Sequence, residues 1–407
     1  MLSILDCSTG LRKKTTTSLI VTTLLTLFAV GTGCKTVTEP QDVRPLVLRD
    51  VPAQRLAYRF DADVGIPAEV PPQDPPEKLA AIQNDFNIRR PNDALLRTVI
   101  SPDGQRALAL YGSEDAPSQA FRIDIYASDG KFLRNLTPPD LACVFIETVS
   151  WSPDGSYISF IGNKSFKPEP TPTPPPDLDP EAPPEPAPTV APSFPTVPVF
   201  DTEQIYISNR DGYDLKPLTT RDGLIYFYYS WAPDGHALVA LACKEHEWDR
   251  RALEFKLPAG RPRLITLDGR ERLLDDNMTE ALPVWCPDSS KVATAFEADV
   301  GIYDAGTNTP THARAPLRAA LLTASQAFQK KLAGDKGTVE TPKESGEATG
   351  QENSLPPSFN PIVRLEWPSP DRLYVQTAYV RLYPNDAINT FQRWHRLILT
   401  PQAAVLR

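Results

Sequence analysis

A Pro-Asp turn followed by a run of apolar and β-branched residues, usually with a tryptophan just ahead of it, recurs along this 407-residue chain. No other feature constrains its fold as tightly. The units are VISPDGQRALAL from Val99, WSPDGSYISF from Trp151, WAPDGHALVALA from Trp231, WCPDSSKVATAF from Trp285 and WPSPDRLYVQTA from Trp367. Their aspartates, Asp103, Asp154, Asp234, Asp288 and Asp371, are 51, 80, 54 and 83 residues apart. In each turn Pro presets φ, the aspartate caps the bend and Gly, where present, accepts positive φ. A segment repeated in this way is architecture before it is chemistry.

The two long gaps hold inserts. Residues 167–198 are so rich in proline that they lack the amide donors a sheet needs, and they read as extended or disordered chain. Residues 316–357 open with a helical pattern, in which Pro316 is the expected first helical position and Gly334 lies past the end. Leu317, Leu321, Ala324, Phe328 and Leu332 share one face of that helix, and polar low-complexity sequence follows it. Without the inserts the period is roughly 40–55 residues, that of a propeller blade. Each unit supplies four strands, with the tryptophan ending the first. An Asp-Gly hairpin joins the third and fourth, as in IYASDGKFLRNLT, IYISNRDGYDLKPLT and LITLDGRERLL. The expected fold is an all-β propeller of four-stranded blades over 94–407, with five blades visible and six favoured. Strand-like residues within 45–93 complete a sixth, degenerate blade or cover an edge.

The N-terminus reads differently. Arg12, Lys13 and Lys14 precede the apolar run SLIVTTLLTLFAV, and GTGC follows, which describes an export signal over 1–33. The cysteine after Gly33 resembles the lipobox of bacterial lipoproteins, with Gly31 where that family favours Leu. The resemblance implies lipidation of Cys34, a tether over 34–44, and export to the bacterial envelope, in the periplasm or at the cell surface. The net charge of −9 and pI near 5.2 argue against a nucleic-acid partner. Cys143, Cys243 and Cys286 sit in apolar surroundings and read as buried small side chains, with no metal spacing around them.

WSPDGSYISF together with IYISNRDGYDLKPLT resembles the repeat of the TolB-type propeller family, a WD-repeat-like unit. The resemblance implies a non-catalytic propeller that binds a protein partner. Members of that family carry an α/β domain ahead of the propeller, for which residues 35–93 leave no room.

Catalytic candidates are few. Trp151, Trp231, Trp285 and Trp367 read as packing between blades, and the five aspartates as turn caps. Glu147, Glu280 and Glu366 belong to first strands or their approaches and would line the channel. His246, within KEHEWDRR, sits in a polar loop that lacks the second histidine of a zinc motif. No cofactor is expected. Topology puts second-to-third-strand connections and between-blade connections on one face, opposite the Pro-Asp turns. That face is the expected binding surface for a partner protein or envelope polymer. The alternative is a propeller enzyme, a polysaccharide hydrolase or lyase that uses the channel carboxylates.

Overall fold

The computed structural model describes residues 47–65, 68, 78–112, 120–164, 200–306, 310–335, 361–381 and 389–402. The expected signal peptide, the tether, Cys34, the Pro-rich insert and most of the polar stretch after 335 lie outside those residues. The described residues form an all-β propeller of five antiparallel sheets.

The first blade comprises Ala94–Ile100, Arg106–Gly112, Arg122–Ala127 and Phe132–Asn135, paired in that order. The second opens with Ala142–Val144 and Ser150–Trp151, one inner strand broken by a 3-10 turn, and continues with Tyr157–Asn163, Gln204–Asn209 and Lys216–Pro217. The third runs Leu224–Trp231, Ala237–Lys244, Arg261–Thr266 and Glu271–Leu273. Val284–Trp285, Lys291–Phe296, Asp299–Asp304 and His312–Pro316 make the fourth. In every blade the strand that ends at the Pro-Asp turn stands at one edge of its sheet, as its place in the repeat predicts.

The fifth blade corrects one expectation. Ile362–Ser369, Arg372–Arg381 and Asn389–Pro401 are followed in the sheet by Leu56–Val64, which pairs antiparallel from Leu56 opposite Pro401 to Val64 opposite Trp394. The N-terminal strand therefore starts no sixth blade; it is the outer strand of the last. The last repeat lacks an Asp-Gly hairpin because its fourth strand comes from the other end of the chain. The PLVLRD segment, expected as a strand, contains the 3-10 turn Leu48–Asp50 instead.

Middle strands such as Arg106–Gly112 and Ala237–Lys244 are buried on both faces, each face covered by a neighbouring blade or helix. Their alternation is therefore small against large. Leu108 and Leu110 pack with Trp151, Ile158 and Phe160 of the second blade. Ala107 and Ala109 face helix α1, Ala80–Arg89, whose Ile82 and Phe86 cover the other side of the first blade. The Asp129-Gly130 hairpin touches that helix so closely that a Cβ on Gly130, at φ +93°, would lie 2.6 Å from the Ala81 carbonyl oxygen.

Two further helices lie in connections. Helix α2, Glu245–Leu253, follows the second strand of the third blade. Helix α3, Arg318–Asp335, precedes the fifth blade. Pro316 closes the preceding strand and does not open α3, which runs through Gly334. Leu317, Leu321 and Ala324 are buried against the fourth and fifth blades as the pattern predicts, and Phe328 lies half-buried under the Arg393 guanidinium. The Leu332 side chain is outside the described residues. Among the described residues no helix is long and apolar enough to cross a membrane.

Candidate functional site

The repeat tryptophans stitch one blade to the next. Trp151 Nε1 donates to the Val99 carbonyl at 3.0 Å, and Trp285 Nε1 to the Ser230 carbonyl at 3.2 Å. Trp231 Nε1 donates to Ser159 Oγ at 2.8 Å, and the same hydroxyl also accepts from Tyr229. Trp367 turns its indole N–H to Pro370 in its own turn. The repeat aspartates bond within their turns. Asp103 accepts from the Ser101 hydroxyl and the Gln105 amide, and Asp154 from Ser152 and Ser156. Asp234 accepts from the His236 amide, Asp288 from Ser290 and Asp371 from Ser369. The Ser101 hydroxyl, the Gln105 amide and the Arg210 guanidinium hold the Asp103 carboxyl down to about 2.

The three channel candidates are separately engaged. Glu147 accepts from Arg97 at 2.8 Å, Glu366 from Arg364 at 2.8 Å, and Glu280 pairs with Arg251. Each carboxylate is thus matched to a cation. Burial pushes the Tyr228 hydroxyl up, against a lowering bond with Ser230, and the charge of Glu366 adds to the rise.

The polar loop around His246 is helix α2. His246 is exposed, while Glu247 is buried in a bidentate pair with Arg261 at 2.8 and 2.9 Å and accepts the Lys244 amide at 2.9 Å. The Arg261 bonds bring the Glu247 carboxyl down to about 2. The helix separates these residues: one faces the sheet, the other water. Trp248 seats α2 on Phe145 and Phe227. Among the described residues no group of three or more His, Cys, Asp or Glu side chains is placed to hold a metal ion. Cys143, Cys243 and Cys286 are buried and unpaired, and burial raises the Cys243 and Cys286 thiols to about 12.

Two features were not legible as sites in the sequence. The first is a cluster joining the exposed Asp63 of the N-terminal strand to buried residues of the last blade. His395 Nδ1 accepts the Asp63 amide at 3.2 Å, its Nε2 lies 3.1 Å from Thr377 Oγ1, and Arg393 pairs with the Asp63 carboxylate. Asp63 and Arg393 are 330 residues apart in sequence, so no local pattern announces the pairing. The second is an exposed apolar turn, Leu253, Phe255 and Leu257, just after α2. Its only signal was LEFKL, apolar residues alternating with charged ones in a connection.

A cleft of about 790 Å3 opens beside the first blade's connections, lined by Arg90, Tyr111, Arg122, Asn135 and Thr137 among others. Arg90 is bound to the fully buried Asp124 and stacked on Tyr111, and Arg122 donates to the Pro139 carbonyl. A second cleft of about 550 Å3, on the turn side between the third and fourth blades, is lined by Arg49, Asp234, His236 and Ser289.

No family model matches the chain, and no curated protein matches it significantly. Among solved structures it is similar to an oligogalacturonate lyase in complex with manganese, at TM-score 0.35 and 9% identity over 75% of this chain and 65% of that one. An oligogalacturonate lyase from Vibrio parahaemolyticus gives 0.36 and 7%, over 75% and 66%. A chain of a nidogen/laminin complex gives 0.32 and 11%, over 77% and 87%. The chain thus spans slightly less than two thirds of the two lyases.

Proposed function

We propose that this chain is an envelope-anchored, TolB-like, non-catalytic propeller. Cys34 carries the lipid, and the face bearing the second-to-third connections docks a partner protein. The observation that carries the reading is the pairing of Glu147, Glu280 and Glu366 with Arg97, Arg251 and Arg364. Cleavage of a glycosidic bond by the usual route calls for two carboxylates about 5–10 Å apart, one of them free to hold a proton. In this chain each of the three carboxylates is instead engaged by a guanidinium. Loops on a rigid scaffold suit recognition, and this face has α2, α3 and both ends of the Pro-rich insert.

Chemical crosslinking in intact envelopes tests the reading, with the full chain compared against one lacking residues 167–198. A discrete partner captured by the full chain, in lower yield without the insert, is the expected outcome. Polysaccharide cleavage by the purified chain that disappears in Glu147→Gln or Glu280→Gln would establish the enzyme reading instead.

A further inference from the structure

We propose that Asp63 and His395 form an acid-sensitive latch, which holds the end of the N-terminal strand on the fifth blade and lets it go when the ring gains a proton. That strand, Leu56–Val64, is the outer strand of a blade whose other three come from the opposite end of the chain. Its pairing is regular from Leu56 to Asp61 and shifts register before Val64. Within the shift Asp63 adopts φ +52°, a left-handed conformation that a residue other than glycine holds only when its surroundings impose it. The fifth blade imposes it. The Asp63 amide donates to His395 Nδ1 at 3.2 Å, and the Asp63 carboxylate accepts from Arg393 Nε at 2.7 Å.

The amide bond fixes the state of the ring. Nδ1 can accept only while it carries no proton, so the neutral ring has its hydrogen on Nε2 and donates it to Thr377 Oγ1 at 3.1 Å. A second proton would set Nδ1–H against the Asp63 N–H, donor facing donor. Among the described residues two charges act on the ring: Arg393 opposes a further positive charge and Asp63 favours it. The Asp63 carboxylate lies 4.0 Å from Nδ1 and is already bound by Arg393. Arg393 is held in turn by α3, where it donates to the Ala324 carbonyl at 3.0 Å and lies on the Phe328 ring. Phe60, from the N-terminal strand, stacks on the imidazole at 5.3 Å. Of the polar partners, Thr377 and Arg393 are buried, whereas the Asp63 side chain is 43% exposed and free to move into water. Lifting Asp63 off the blade therefore relieves the protonated ring. It opens the strand from its Val64 end and leaves part of the Asn389–Pro401 edge unpaired. The latch goes beyond partner docking and requires neither Cys34 nor a partner.

Hydrogen exchange of the full chain tests the latch, with rates corrected for the intrinsic pH dependence of amide exchange. The amides from Phe60 to Val64 should open locally, at lower free energy than the middle strand Ala237–Lys244. With the ring held to about 4 on the blade and returning to 6.5 once released, this local opening should rise about fiftyfold from pH 7 to pH 4.5. In His395→Gln, whose amide offers an acceptor and a donor at every pH, the rise should vanish. The proposal is overturned if the Phe60–Val64 amides open only together with Ala237–Lys244, if their local opening is independent of pH, or if His395→Gln shows the same rise. Should that variant fail to fold, nuclear magnetic resonance of the histidine rings in the parent decides. A His395 ring that takes up its proton near pH 6.5 while the strand stays closed sinks the latch, and a ring that stays neutral until the strand opens supports it.

Discussion

The indole N–H of Trp151, at the end of the second blade's inner strand, reaches 3.0 Å across to the backbone carbonyl of Val99 in the first blade. The ring itself is packed among Leu108, Leu110 and Ile158. One side chain therefore supplies both apolar contact and a satisfied acceptor at the seam.

Trp151→Phe keeps most of the contact and strands the carbonyl. The expected loss is about 1–2 kcal/mol, measured by denaturant unfolding. Trp285→Phe should cost a similar amount, and Trp367→Phe less, because the Trp367 N–H closes only its own turn. Equal losses at all three positions would remove the inter-blade bond as the cause.

His395 is 1% exposed, and burial, with the neighbouring Arg393 charge, lowers its pKa to about 4 from the usual 6.5. The folded state thus holds the ring neutral, while the unfolded chain takes up a proton below pH 6.5. The stabilising contribution is complete above that pH and is lost as pH falls from 6.5 to 4. A His395→Gln variant should be less stable at pH 7 yet show a shallower decline across this window, the difference reaching at most ~3 kcal/mol. Parallel stability curves for the two proteins would contradict the assignment.

Glu247 acts in the same direction, at lower pH. Its carboxyl is lowered to about 2 from 4.5, so its contribution is present above pH 4.5 and lost as pH falls toward 2. Glu247→Gln leaves Arg261 without its bidentate acceptor and should cost about 2–4 kcal/mol at pH 7. Hydrogen exchange should show faster opening of α2, 245–253, before the sheets.

Gly212 and Gly223 share nearly the same backbone, at φ +76° and +77°. A Cβ on Gly212 would lie 2.5 Å from Ile125 Cδ1 of the first blade, whereas one on Gly223 meets nothing within 4 Å. Gly223→Ala should cost about 1 kcal/mol for the left-handed backbone alone, and Gly212→Ala clearly more. Thermal melts of the pair separate conformation from packing.

Much of the propeller could be read from local pattern. The Pro-Asp turns and the Asp-Gly hairpins at Gly130, Gly212 and Gly269 depend on neighbours within a few residues, and they formed where the pattern put them. Helix α2 was missed because KEHEWDRR shows no apolar periodicity. Its helical state is secured by Glu247 reaching Arg261 and by Trp248 against Phe145, contacts outside the segment. For the channel, the sequence could place Glu147, Glu280 and Glu366 near inner strands. It could not supply the partners of Glu147 and Glu280, which are Arg97 from another blade and Arg251 from α2; only Arg364, two residues before Glu366, is local.

The sequence alone determined the repeating unit, because a tryptophan, a proline-led turn and an alternating strand act over a few residues and carry their geometry with them. Only the tertiary structure decided which strand completes the last blade, which face of the first blade α1 covers, and that His395 and Asp63 meet. Those contacts join residues outside any local pattern, hundreds of positions apart for the last blade and His395, and they are settled by which apolar faces remain to be buried once the local elements have formed.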